Sequence, residues 1–367
     1  MFINKLTLSN FRNIEKLSLS FDNSLTIFYG ENGQGKTNVV EGIFLLSSAT
    51  SFRTSYFKEM IKNDKEEAFV SGDVVSLKKQ DNFKVALRKN GKAAYINDIV
   101  VNKFSEYVGK FNAVCFSPED VTLFKDSPGI RRHFLDKELS SLFPIYIKQL
   151  IVLKNVLEER NTLLKSKVDY TLLDVIDDKL VEASYDIYKR RKWLINKIGE
   201  FATSIYKRLT NEAQTIKIVY NTFLDINDAA LYMQEAKKVY KANIKKDIER
   251  SYTIYGVHKD DFKVYLNDLE IDMYASQGQQ RLISLCMKLA VAEIVAKANK
   301  TEPIIILDDA FSELDLQKKK KLFDYVLTKQ QVFITCTDYK NIINQYKNKD
   351  ITLIHIKNGN VIERGSI

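Results

Sequence analysis

The chain has 367 residues, 45% hydrophobic and 28% charged, with a formal net charge of +9. That length exceeds one minimal core, and the composition excludes a disordered or collagen-like chain. No run of eighteen apolar residues is present, which argues against a membrane-spanning helix, and three scattered cysteines (Cys115, Cys286, Cys336) suit neither a disulfide framework nor a metal cluster.

The opening residues Met1 to Leu6 alternate like a strand rather than a charged leader, so a cytoplasmic location is expected, with no membrane partner. The positive excess points toward polyanions, nucleic acid first among them.

In chain order, Phe2–Leu8 and Leu17–Phe21 alternate apolar and polar residues, and Leu25–Tyr29 is a short run of β-formers ending at Gly30. Further strands are predicted at 68–75 and 83–88, with Asn90-Gly91 as a hairpin turn before 93–96. The period then changes. Leu150, Leu153, Leu157 and Leu164 form one helical stripe, and a second runs from Leu173 to Ile205 with a gap at Arg190-Arg191. Asp169 and Thr171 offer capping groups between them, so the spacing predicts an antiparallel helical pair. No proline occurs from Ile145 through Glu302, which permits long helices. Gln279–Ala298 reads as a helix. Pro303–Leu307 reads as a strand buried on both faces, and 331–336 and 351–356 as two more strands.

Gly30-Glu31-Asn32-Gly33-Gln34-Gly35-Lys36-Thr37 matches the phosphate-binding loop G-x-x-x-x-G-K-[ST], between a strand and an apolar helix. Its glycines let backbone N–H groups wrap a phosphate, and the helix start adds positive potential. Lys36 is expected to reach the β- and γ-phosphates of ATP and the Thr37 hydroxyl to ligate Mg2+. The carboxylate such a site needs is supplied by Asp308-Asp309 after the apolar strand. Asp308 is expected in the magnesium shell, and Asp309 is expected to orient or deprotonate the attacking water. About 270 positions separate Lys36 from Asp308, so a large insertion divides one nucleotide site. Ser276-Gln277-Gly278-Gln279-Gln280-Arg281 places a serine and a glycine at a helix start; by itself this is only an N-cap.

The phosphate loop, Ser276-Gln277-Gly278-Gln279-Gln280, the strand ending in Asp308-Asp309 and Ser312-Glu313-Leu314-Asp315 follow the order seen in ABC-type ATPases. With Asn10-Phe11-Arg12-Asn13, the set resembles the SMC branch. Phe116-Ser117-Pro118-Glu119-Asp120, Ser127-Pro128 with Arg131-Arg132 and Phe134-Leu135-Asp136, and Ala275–Arg281 resemble its RecF family. Tyr255–Asp261 is similar to a RecF stretch, with Val257 and Lys259 replacing Pro and Arg; His258 is given a structural role.

The resemblance implies an α/β ABC-type ATPase head (P-loop, mixed sheets) with an inserted α-helical arm domain. The head would span 1–122 and 251–367 and the arm 123–250. It further implies an ATP-dependent head-to-tail homodimer. Gly30, Asn32, Gly33, Gly35, Lys36, Thr37 and Asn38 would hold the nucleotide, with Arg12 beside the base or α-phosphate. Ser276, Gly278 and Gln279 would meet the γ-phosphate of the partner, and Asp315 would lie near the seam. Most ABC ATPases carry glutamate where Asp309 stands, and the shorter side chain implies slow, DNA-stimulated hydrolysis. Thr337 stands where a histidine is common, and no magnesium-sensing glutamine is named.

The implied role is binding of double-stranded and gapped DNA in replication restart, recombinational repair and the SOS response, loading RecA with RecR and RecO. DNA contacts are open among Lys5, Lys58, Lys110 and Lys189 to Lys192. Two alternatives remain at this stage: a scaffold that binds ATP without gating DNA, and the soluble ATPase subunit of a membrane transporter.

Overall fold

The computed structural model describes every residue except 78, 167, 313, 344, 345, 347–349 and 367. In chain order come β1 (Phe2–Phe11), β2 (Ile14–Ser20), β3 (Leu25–Tyr29), α1 (Lys36–Ser48), β4 (Glu67–Ser76), β5 (Lys79–Arg88), β6 (Gly91–Ile96), β7 (Ile99–Val100) and β8 (Ala113–Phe116). Then follow α2 (Pro128–Leu142), α3 (Pro144–Leu164), α4 (Tyr170–Thr210), β9 (Ile216–Asn221), α5 (Ala229–Arg250), β10 (Asp261–Leu266) and β11 (Leu269–Glu270). Last come α6 (Gln277–Asn299), β12 (Ile304–Asp308), α7 (Leu316–Val326), β13 (Val332–Cys336), β14 (Ile351–Lys357) and β15 (Asn360–Ser366), with single helical turns between some of them. The fold is α/β with mixed sheets.

Two compact units result: residues 1–122, 201–215 and 275–367 form one, and 123–200 with 216–274 form the other. The first holds two six-stranded sheets, β2-β1-β4-β5-β6-β7 and β15-β14-β3-β13-β12-β8. In the second sheet β3 runs parallel to both β14 and β13, and β12 runs parallel to β13 and β8. Strands distant in sequence therefore surround the phosphate loop that follows β3. Helix α1 touches β1, β4 and β5 of one sheet and β8, β12 and β13 of the other. Its Val39, Val40, Ile43 and Leu46 bury completely beside Ile3, Leu6, Leu8 and Phe28. Each such side chain contributes roughly 1.5–3 kcal/mol. Gln280 through Ala292 are all buried, so α6 is a core helix around its whole circumference for more than three turns.

One turn differs from expectation. Arg88 pairs with Gly91, so Lys89-Asn90 form the two-residue turn and Gly91 opens β6. The register is set by Phe83, Val85 and Leu87, all inward-facing and buried.

The second unit combines helices with the three-stranded sheet β11-β10-β9. Bonds from Gln149 to Asp186 and from Arg160 to Asp177 fix α3 antiparallel to α4. The expected pair is in fact three helices. Helix α5 runs antiparallel to α4 through Lys241–Asp174, Lys237–Asp178 and the Tyr185–Tyr232 ring contact. Asp169 starts α4, its carboxylate accepting from the Thr171 and Leu172 amides. The gap at Arg190-Arg191 is no break, because Arg191 lies buried on the core side, paired with Asp136 at 2.9 Å and donating to the Val257 carbonyl at 2.6 Å. A paired charge fills a core position that the apolar pattern leaves blank. Compared with the expected arm of 123–250, this unit omits 201–215 and runs on to Tyr274.

Candidate nucleotide-binding site

The loop between β3 and α1 bends where its glycines permit. Gly30 and Gly35 have φ of +142° and +107°, and a Cβ on Gly30 would meet the Ile356 carbonyl at 2.5 Å. Glu31, Asn32 and Gly33 form the exposed outer turn. Lys36 is buried and donates to the Gly30 and Glu31 carbonyls, both at 2.7 Å. The lysine thus curls into the concavity where a phosphate would sit. Burial pushes its pKa down, opposed by Cys336, Asp309 and Asp308.

Thr37 donates to Asp308 Oδ1 at 2.8 Å, joining the two halves of the site across the insertion. Asp308, at the end of β12, is 5% exposed. Burial raises its pKa, with hydrogen bonds from Thr335 and Thr37 acting in the other direction. Thr335 on β13 makes these contacts, two residues before the Thr337 that stands where a histidine is common. The Thr335 hydroxyl donates to Asp308 Oδ1 at 2.6 Å and accepts from the Asp309 amide at 3.0 Å. Asp309 has φ of +48°, in the left-handed region, held there by the surrounding bonds. Arg281 on α6 donates to the Asp309 carbonyl at 2.5 Å and to the Ser312 hydroxyl at 2.9 Å.

Arg12 is also at positive φ (53°). It grips the fully buried Glu41 of α1 with two bonds of 3.0 and 2.7 Å and donates to the Glu59 carbonyl. The loop after α1 brings in an arginine that sequence reasoning missed. Arg53 donates to the Asn38 side chain at 2.8 Å and to Glu41 at 3.2 Å, and its charge favours ionised Asp308. Asn38 also donates to Asn13. No motif marks Arg53; only the chain path after α1 places it here.

Ser276, Gly278 and Gln279 lie elsewhere. They line a cleft of about 210 Å³ with Tyr206, Glu212, Leu314, Asp315 and Lys318. Ser276 caps α6, accepting from the Gln279 amide, while the Gln279 side chain accepts from the Ser276 amide. A Cβ on Gly278 would meet nothing within 4 Å. Asp315 caps α7, and Glu313 of the expected motif lies outside the described residues.

The remaining family-like motifs interlock in the second unit. Arg131 pairs with Asp261 at 2.6 and 2.9 Å, and Arg132 donates to the Asp260 carbonyl. His258 shares a 3.0 Å bond with the Thr253 carbonyl, and burial lowers its pKa to about 4. Of the basic run 189–192, Arg191 is buried and Lys192 pairs with Asp225, so neither is a free DNA contact.

No helix among the described residues is long and apolar enough to cross a membrane. A family profile described as the RecF/RecN/SMC N-terminal domain matches residues 2–360. The chain is 38% identical to the DNA replication and repair protein RecF of Clostridioides difficile (strain 630), over 99% of this chain and 98% of that one. Its identity to the RecF of Bacillus cereus (strain G9842) is 36%, over 98% of each chain. Among solved structures it resembles the recombination mediator protein RecF with ATP, of the RecFOR pathway (TM-score 0.89, 30% identity, 100% and 97% coverage). It also shares the fold of the Pyrococcus furiosus Smc head (TM-score 0.57, 15% identity, 100% and 96% coverage). The chain belongs to the RecF family of DNA replication and repair proteins, within the SMC-like ABC-type ATPases.

Proposed function

We propose that this chain is an ATP-gated DNA-binding ATPase that acts as a head-to-tail dimer in the cytoplasm, its head formed by 1–122, 201–215 and 275–367 and its helical arm by 123–200 and 216–274. The observation that carries the reading is the separation of two built half-sites. The phosphate loop meets Asp308 through Thr37, whereas Ser276 and the bare Gly278 face a different cleft with Asp315. A glycine in the first turn of a helix, with open space where its side chain would be, suits close approach by another molecule. In a dimer, Ser276, Gly278 and Gln279 of one protomer would complete the site held by Lys36 of the other.

In this reading Lys36 leaves the Gly30 and Glu31 carbonyls and turns to the β- and γ-phosphates. The donor set fits a small hard cation: a hydroxyl and a buried carboxylate whose oxygen is shared by Thr37 and Thr335. Thr37 and Asp308 would hold Mg2+, which supplies charge neutralisation on the phosphates. Asp309 would orient or deprotonate the attacking water; its short side chain supports slow turnover, and DNA binding to the dimer would stimulate it. Arg53, beside Asn38, is the better placed arginine for the nucleotide, since Arg12 spends its donors on Glu41 and Glu59.

Two copies bring twice the +9 charge to a shared surface, which favours sequence-independent binding of duplex and gapped DNA. The RecF relatives, and the RecFOR pathway named for the solved RecF structure, support a role in loading RecA at gaps with RecR and RecO. The test is anisotropy of labelled duplex DNA with and without magnesium-ATP, for wild type and Ser276→Arg. ATP should tighten binding only for wild type. If ATP leaves the wild-type curve unchanged, gating is lost as a function.

A further inference from the structure

Beyond the nucleotide chemistry, the second unit carries an exposed cluster that includes Lys189 and Arg190, the two residues of the basic run still open as DNA contacts. Trp193, the chain's one tryptophan, is 37% exposed on α4 and meets the Phe143 ring edge-on at 5.6 Å. The Arg190 guanidinium lies 4.7 Å from the same Phe143 ring. On α3, Ile145 and Val152 are 49% and 51% exposed, and their spacing of seven puts them on one helical face with Lys148 between them. The antiparallel register set by Gln149 and Asp186 brings Ile145 level with Arg190, so these side chains form one surface.

Its charge is one-sided at the Trp193 end. Lys148, Lys189 and Arg190 make no ion pair among the described residues and outnumber the nearby Asp186, whose carboxylate accepts from Gln149, so the patch keeps a positive excess. Exposed tryptophan, arginine and aliphatic residues in one place have the composition of a protein-binding hot spot. Aliphatic Ile145 and Val152 offer no stacking surface to a base, which separates this patch from a single-strand DNA platform.

We propose that Phe143, Ile145, Val152, Arg190 and Trp193 form a docking surface for a protein partner that presents an apolar ridge flanked by carboxylates. The inference rests on the mediator partnership proposed above, and RecR and RecO from the same source are the probes. Full-length protein made with 5-fluorotryptophan carries a single fluorine, at Trp193, so its resonance reports on this patch alone. It should shift on addition of RecR or RecO and stay put with single-stranded or duplex DNA. Ile145→Glu and, separately, Arg190→Glu should weaken that binding at least about tenfold. Ile145→Glu should keep its melting temperature and ATP-gated duplex binding, which shows that the variant is folded.

The proposal is overturned if neither protein moves the signal, if single-stranded or duplex DNA moves it, or if both variants bind as wild type does. ATP-gated duplex binding, measured in parallel on wild type, decides the proposed function separately.

Discussion

Two sites treat charged residues in opposite ways, the phosphate-loop site of the first unit and the buried joint of the second. In the first, Lys36 bonds to its own loop carbonyls, and among the described residues Asp308 meets two hydroxyls and no cation within hydrogen-bond reach. These groups are held in place but not neutralised. In the second, Arg160 is fully buried between Asp177 at 2.6 Å and Asp247 at 2.7 Å, with Thr253 at 2.8 Å, and Arg191 answers Asp136. A charged motif therefore signals a ligand site where its partners are missing from the fold, and a structural joint where they are present.

Substitutions can break this contrast. The largest effect is expected at the buried joint. Arg160→Met leaves Asp177 and Asp247 buried without a cation and should cost about 3–5 kcal/mol in denaturant unfolding. A loss below about 1 kcal/mol would mean the joint is not structural. Next, Lys36→Ala should lower ATP turnover at least about a hundredfold, roughly 3 kcal/mol, while leaving the melting temperature within a few degrees. Turnover near wild type would show that the lysine does not reach the phosphates.

The histidine gives a pH test. His258 has a folded pKa near 4, below its ordinary 6.5, so the unfolded chain binds the extra proton and stability falls as pH drops through that interval. Between pH 7 and 5 it should account for about 2 kcal/mol. His258→Gln should remove that part of the pH slope; an unaltered slope would assign it to other groups. The smallest effect sharpens the site itself. Thr335→Val removes the bonds to Asp308 and from the Asp309 amide and should reduce turnover about tenfold, or roughly 1.4 kcal/mol, with a loss of about 1 kcal/mol in unfolding.

What the sequence made legible was local. The phosphate loop, the strand ending in Asp308-Asp309 and the Ser276 cap are contiguous stretches whose chemistry follows from spacing, and all three appear at the expected places. What it hid depends on chain paths. Arg53 reaches Asn38 only because of the turn after α1. Thr335 meets Asp308 because β13 pairs with β12 in that register. Arg12 carries a family-like pattern yet serves Glu41, a partner that no spacing identifies. The third helix, α5, escaped because lysines interrupt its stripe, while Tyr232, Ala236 and Tyr240 still bury.

The placement of β3 also governs when this protein can be made whole. Its neighbours on both sides, β13 and β14, are synthesised only after residue 331, some three hundred residues later. At roughly 5–20 residues per second, the emerging chain waits about 15–60 s with both edges of that strand unmatched. A nascent chain stalled before β13 carries an intact phosphate loop on an unpaired strand. Products truncated before β13 should be aggregation-prone rather than partially active.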